Sequence, residues 1–290
     1  MDFTLTVYKD LLSAFLSKGF AFQTFEQFIT NPLDKVVIMR HDVDRLPGNA
    51  LRMARIEHGM GIAASYYFRV VPVSWDEGII MEIAGLGHEI GYHYENLSMF
   101  KGDMEKALAD FKYNLTRLRE LVPVSTVCMH GSPLSRIDNL ELLKSFDYKE
   151  LGIVAEPYLD VDYSRIFYIT DTGRKWNNET SSVRDRVESG FDIEVRSTGH
   201  LIELIKKREE KSSVHESALI GVNEERVNIS LADRQGNNFT ASGESKGLPD
   251  RIMFNVHPQR WHDAPLPWLK ELVGQNVKNV VKKIFIKFRD

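Results

Sequence analysis

Two aspartates spaced two apart, Asp42 and Asp44, close the run Arg40-His41-Asp42-Val43-Asp44, and two other short apolar runs lead to histidines, His93 in GHEIGYH and His257 in NVHPQRW. In an extended chain alternate residues project to one side, so Arg40, Asp42 and Asp44 share a face, as do Glu89 and His93, and Asn255 and His257. Two carboxylates on one face can divide labour: one holds a divalent cation, and the other takes a proton from water that the cation has acidified. A separate histidine can then protonate a departing amine. These residue types and spacings point to metal-assisted hydrolysis.

Taken singly, the same residues have plainer uses. Asp42 and Asp44 can cap a following helix or pair with Arg45, His93 can be a satisfied core histidine, and His257 before Pro258 can simply end a strand. Their common setting at strand ends argues against three separate coincidences.

The elements that must position them follow from hydrophobic patterning. Short apolar runs alternate with amphipathic stretches, the pattern of βα units and a mainly parallel sheet. Strands are expected at VVIMRHDVD from Val36, AASYYFRV from Ala63, HEIGYHY from His88, STVCMHG from Ser125, GIVAE from Gly152, IFYITDTG from Ile166 and RIMFNVH from Arg251. GDMEKALADFKYNLTRLREL reads as a helix with Met104, Leu108, Phe111, Leu115 and Leu118 inward and Asp103 as its N-cap, and TGHLIELIKK as another behind a Thr198 cap.

Five of these strands run into polar or ionisable clusters at their C-terminal ends, and in a parallel βα barrel those ends form one rim. The expected fold is α/β: a distorted (β/α) barrel of about seven parallel strands. It is expected as one domain over 1–290, with a polar, irregular insertion at 211–250 and a C-terminal helix at 267–288. That helix has Leu269, Leu272, Val273, Val277, Val280 and Ile284 along one side, read as its packed face. The competing reading is a helix resting weakly on an anionic membrane surface.

A formal net charge of −4 argues against a nucleic-acid partner. Cys128 is the sole cysteine, which excludes an intramolecular disulfide and a thiolate cluster, so a metal must use His, Asp or Glu. MDFTLTVYKD lacks a basic start leading into an apolar run, and no stretch is long and apolar enough to span a bilayer. The expected location is cytoplasmic.

GHEIGYH, preceded by Asp-x-Asp and followed by a late strand-end histidine, resembles the NodB-homology polysaccharide deacetylases, whose second motif commonly reads HEIG-x-H. The similarity runs in order from about Val36 to His257 and is closest over the first two blocks. It implies Asp42 as catalytic base, Asp44 and His93 as metal ligands, His257 as general acid, and removal of an acetyl or formyl group from an amino sugar. RHDVD, GHEIGYHYE, HGSP, YITDTGRKW and HPQRW together are similar to members associated with surface-polysaccharide or O-antigen assembly. The implied cofactor is a divalent metal ion, zinc first, with manganese, cobalt or magnesium compatible with the same donors.

The sequence departs from that pattern at Leu97, where the family has its second metal histidine. Either the third ligand comes from elsewhere, with Glu95 and His130 the available replacements ahead of His88, whose side alternates away from that of His93, or the metal is weak, differently held or missing. The family's Arg-Pro block is missing, leaving Arg40, Arg136, Arg174 or Arg260 to orient Asp42, and Asp171 and Trp176 stand where the family has a supporting Asp-Trp pair. Arg174, Trp176, Arg260 and Trp261 are the expected substrate contacts, rings serving as sugar platforms and guanidinium forks gripping an anionic group. The expected substrate is an acylated amino sugar on a nucleotide or lipid carrier. Two rivals stand beside this: a hydrolase of a small non-sugar amide or imide, and a non-catalytic sugar-binding protein, which Leu97 favours.

Overall fold

The computed structural model describes residues 1–132, 135–176, 187, 189–208 and 248–287. Its strands are β1 (Ala21–Gln23), β2 (Val36–Val43), β3 (Ser65–Phe68), β4 (Glu89–Tyr94), β5 (Val127–Met129), β6 (Phe167–Thr170) and β7 (Arg251–Val256). They form one sheet in the order β5-β4-β3-β2-β7-β6, with every pairing parallel. β1 lies against the first half of β2, through Val36 to Ile38, and β3 takes the second half from Arg40 onward. The curled sheet makes a half-barrel, as the expected distorted barrel requires.

The helices are α1 (Leu5–Ser17), α2 (Phe25–Thr30), α3 (Pro47–Gly59), α4 (Glu77–Gly85), α5 (Asn96–Met99), α6 (Met104–Arg119), α7 (Leu140–Lys144), α8 (Pro157–Asp160), α9 (Thr198–Lys207) and α10 (Pro265–Lys287). None among the described residues is long and apolar enough to cross a membrane.

β2 is buried along its whole length, yet its two faces meet different surroundings. Val37, Met39 and Val43 join a large cluster that includes Phe15, Met53 and Phe111 from the helices and Phe254 from β7. Val36 and Ile38 join a smaller cluster with Tyr67, Cys128, Tyr168 and Met253. Arg40 and Asp42 continue the second face, so two ionic side chains emerge where the apolar floor stops. Gly91 is required beside them: a Cβ there would stand 2.3 Å from Tyr67 Cε1, so only glycine lets that ring lie on β4.

Several expectations need correction. The run at Gly152 is not a strand; only Ala155 pairs, in a single bridge to Thr126. The short β1 is an additional strand. In α6 the buried residues are Ala107, Phe111, Leu115 and Leu118, with Met104 exposed, although Asp103 caps as expected, accepting from Lys106 N at 3.2 Å. The cap of α9 is Ser197, because Thr198 turns inward to accept from Trp176 Nε1 at 3.1 Å. The expected insertion lies outside the described residues except for 248–250. In α10 most of the expected inward face is reversed: Glu271, Gln275 and Asn279 are buried, Leu269, Val273, Val277 and Val280 are exposed, Leu272 is half-buried, and the side chain of Ile284 lies outside those described.

Candidate active site

Parallel pairing brings every strand's C-terminus to one rim, and the ionisable residues stand there in a regular way. Asp44, Glu95, His130, Asp171 and His257 are each the first residue after β2, β4, β5, β6 and β7 respectively, while Asp42 and His93 are the next-to-last residues of β2 and β4. β2 and β7 pair through His41 and Val256, and continuing that register sets Asp42 beside His257. Leu46, Ser132 and Arg174, shortly after three of these ends, hold left-handed φ values of 56°, 32° and 56°, placing backbone strain at the rim.

Asp44, His93 and His130 offer ligand atoms that all lie within 4.8 Å of one another. His93 Nε2 and His130 Nε2 are each 3.5 Å from Asp44 Oδ1. That oxygen is buried and has no hydrogen-bond partner among the described residues. Asp44 Oδ2 accepts from Gln259 Nε2 at 2.8 Å, which fixes the carboxylate's rotation.

Both imidazoles are held in the tautomer a ligand needs. His93 Nδ1 donates to Cys128 O at 2.9 Å, and His130 Nδ1 donates to Glu95 Oε2 at 2.9 Å, so each presents an Nε2 lone pair to Asp44. Glu95 is gripped in turn by Arg69, whose Nε donates to Oε1 at 2.8 Å and whose Nη1 donates to Asp44 O at 3.1 Å. Burial alone would raise the Glu95 carboxyl, but the hydrogen bond and charge of His130, with the Arg69 guanidinium, bring it down to about 2. A buried acceptor without a donor, faced by two imidazole lone pairs, is a donor set of the kind that closes around a divalent cation.

Of the two expected third ligands, His130 is the one whose ring nitrogen joins Asp44 and His93, while Glu95 stands behind it against His130 Nδ1. Leu97 is buried in the apolar core, so the position of the family's second histidine is here a packing position.

Asp42, His93 and Cys128 form a second possible group within the same 4.8 Å limit. The oxygens of Asp42 are already engaged: Arg40 Nε donates to Oδ1 at 2.9 Å, Arg40 Nη2 to Oδ2 at 2.7 Å, and Asn255 Nδ2 to Oδ2 at 3.1 Å. A bidentate guanidinium competes with a cation for that carboxylate, which favours the first group. Of the four arginines left open by the sequence, Arg40 therefore orients Asp42. Burial raises the Asp42 carboxyl, yet Arg40 and then His93 hold it well below the usual carboxylate range. Asp44 is likewise lowered despite burial, by its close approach to His93 and by His130 and His257 nearby.

On the other flank, His257 Nδ1 donates to Asp171 Oδ1 at 2.7 Å, and His257 N meets both Asp171 oxygens at 3.1 Å. Asp171 is fully buried and also accepts from Arg260 Nη1 at 2.7 Å and Trp261 Nε1 at 2.8 Å. Burial opposes its ionisation, but Arg260 and His257 keep its carboxyl below the usual range. The arrangement leaves His257 Nε2 as the atom free to exchange a proton.

The four expected substrate contacts have other work. Trp261 is fully buried among Phe3, Tyr8 and Trp176, and Trp176 stacks on Phe254 with ring centroids 5.3 Å apart. Neither ring offers a face to a sugar. Arg260 is spent on Asp171, and Arg174 is buried with its guanidinium 5.0 Å from the Phe3 ring and 4.9 Å from the Trp268 ring. Sequence reading placed them at the rim correctly in the chain but missed that the N-terminal segment covers them. It also missed Arg69, Asn255 and Gln259 as partners of the carboxylates. Arg69 carried a signal, since it lies two residues after Tyr67, the β3 partner of Asp42.

Comparison with known proteins gave no matching family model, no matching curated protein and no matching solved structure.

Proposed function

We propose that the protein is a metal-dependent amide hydrolase that removes an acyl group from an amino sugar. The observation that carries this reading is the convergence of Asp44 Oδ1, His93 Nε2 and His130 Nε2, flanked by the Arg40-Asp42 pair and the Asp171-His257 pair.

A divalent ion held by Asp44, His93 and His130 would acidify water and polarise the scissile carbonyl, zinc being the first expectation for two imidazoles and a carboxylate. Asp42 stays ionised at neutral pH under Arg40 and receives the proton, its carboxylate standing 4.0 Å from His93 Nε2. So strongly held a carboxylate is a weak base, which suits it to water whose acidity is already raised. His257 delivers a proton from Nε2 to the leaving nitrogen while Asp171 fixes the ring and balances its charge. Entry is from the side of Asp44, His130 and Arg69, whose side chains keep 22%, 17% and 19% exposure.

The sugar class rests on the resemblance of HDVD and HEIGYH to the NodB-homology deacetylases. One observation favours a second reading, a small non-sugar amide or imide as substrate: the two tryptophans that would form a sugar platform lie in the core. Amine release from N-acetylated and N-formylated amino sugars, compared with simple amides and cyclic imides, separates the two. Loss of all release in the metal-loaded protein, with every substrate class tried, would contradict hydrolysis itself.

A further inference from the structure

α10 carries its polarity inside out. Glu271 pairs with Arg45, next to Asp44; Asn279 Nδ2 donates to Gly173 O at 3.0 Å; and Gln275 Nε2 donates to Asn279 Oδ1 at 3.0 Å. These three residues follow at four-residue spacing, so a polar stripe, with Trp268 and the half-buried Leu272 beside it, seats α10 on the rim. Leu266, Leu269, Val273, Val277 and Val280 take the opposite side and are 80%, 51%, 55%, 58% and 58% exposed. At 1.5 Å per residue the uncovered apolar strip is about 20 Å long. A helix in water ordinarily turns such a strip inward, and one left outward marks an interaction surface.

The charges beside the strip are of one sign. Lys270 and Lys278 are exposed, whereas Glu271, the sole carboxylate between Pro265 and Lys287, faces inward on Arg45. The sequence continues through Lys282, Lys283, Lys287 and Arg289 before Asp290. A second copy of this helix would set cations against cations; a negatively charged surface with an apolar interior would not.

We propose that α10 docks the protein on an anionic phospholipid bilayer, lying in the plane of the interface with Leu266, Leu269, Val273, Val277 and Val280 among the acyl chains and the lysines among the headgroups. The contact is peripheral and does not depend on the reaction assigned to the rim. Because Glu271 and Asn279 seat α10 on that rim from its other side, docking sets the strand ends about one helix diameter from the lipid surface.

Full-length protein sedimented with vesicles tests this, using phosphatidylcholine alone and phosphatidylcholine mixed with phosphatidylglycerol. Binding to the mixed vesicles is expected, weakened by salt and reduced about tenfold by Val273→Glu with Val277→Glu, and about tenfold by Lys270→Glu with Lys278→Glu. All four positions are exposed, so circular dichroism and melting should match the parent protein, and the lysine pair stands in should the valine pair misfold. No binding to mixed vesicles, equal binding to neutral ones, or binding that survives both pairs of substitutions would overturn the proposal. So would sedimentation velocity revealing a dimer that the valine substitutions dissolve.

Discussion

His130 and Asp44, which follow different strands and are separated by β3 and β4 in the sheet, meet with His130 Nε2 3.5 Å from Asp44 Oδ1. The meeting depends on Glu95, which holds the far nitrogen of the ring. Replacing Glu95 by Gln keeps the shape but removes the charge that fixes the tautomer. Metal affinity should fall about 10- to 100-fold, measured by competition with a chromogenic chelator. An unchanged affinity would remove Glu95 from the site.

Asp42→Asn separates chemistry from metal binding. Asp42 is spoken for by Arg40 and Asn255 and lies outside the favoured ligand group, so metal content should stay at the parent level. Amine release should drop by about 10²- to 10⁴-fold. Equal loss of metal and activity would assign Asp42 to the ion instead. Cys128→Ser should likewise leave metal content intact.

Asp171 holds both His257, the proposed proton donor, and Arg260. Asp171→Asn preserves volume but no longer balances a charged His257, so turnover should fall while substrate affinity changes little. Asp171→Ala leaves Arg260 buried without its partner and should destabilise the protein by about 3–5 kcal/mol in urea denaturation. A mild effect of Asp171→Ala would mean that the Arg260 guanidinium escapes to water.

The strand-end chemistry was legible because a strand closing on Asp-x-Asp or on His announces itself against apolar neighbours, and parallel topology follows from alternating helices and strands. The placing of His130 beside Asp44 and His93 was legible only as one of two choices, since the sequence does not say that Arg69 claims Glu95. Trp176 and Trp261 were misread for a related reason: a tryptophan beside a strand end looks the same whether a sugar or Phe3 covers it. α10 was misread because its periodicity locates an apolar stripe without saying which side the rest of the protein supplies. Glu271 and Asn279 find Arg45 and Gly173, contacts that only the assembled rim creates.

Acid should weaken the metal-free protein partly through Glu95. Its carboxyl is lowered from the ordinary 4.5 to about 2 in the fold, so the ionised form is the one the fold favours. The stability it contributes is fully present above 4.5 and is lost as pH falls toward about 2. The stability difference between the parent protein and Glu95→Gln should therefore be constant at higher pH and shrink through that window. A difference that grows on acidification would contradict the assignment.

X-ray absorption at the zinc edge of the reconstituted protein, together with His130→Ala, bears most directly on the site. The expected result is one ion per chain with two imidazole nitrogens and carboxylate oxygen in its shell, one imidazole disappearing in the variant. Failure to bind zinc, or a sulfur scatterer with both imidazoles retained in His130→Ala, would contradict the site built on Asp44, His93 and His130.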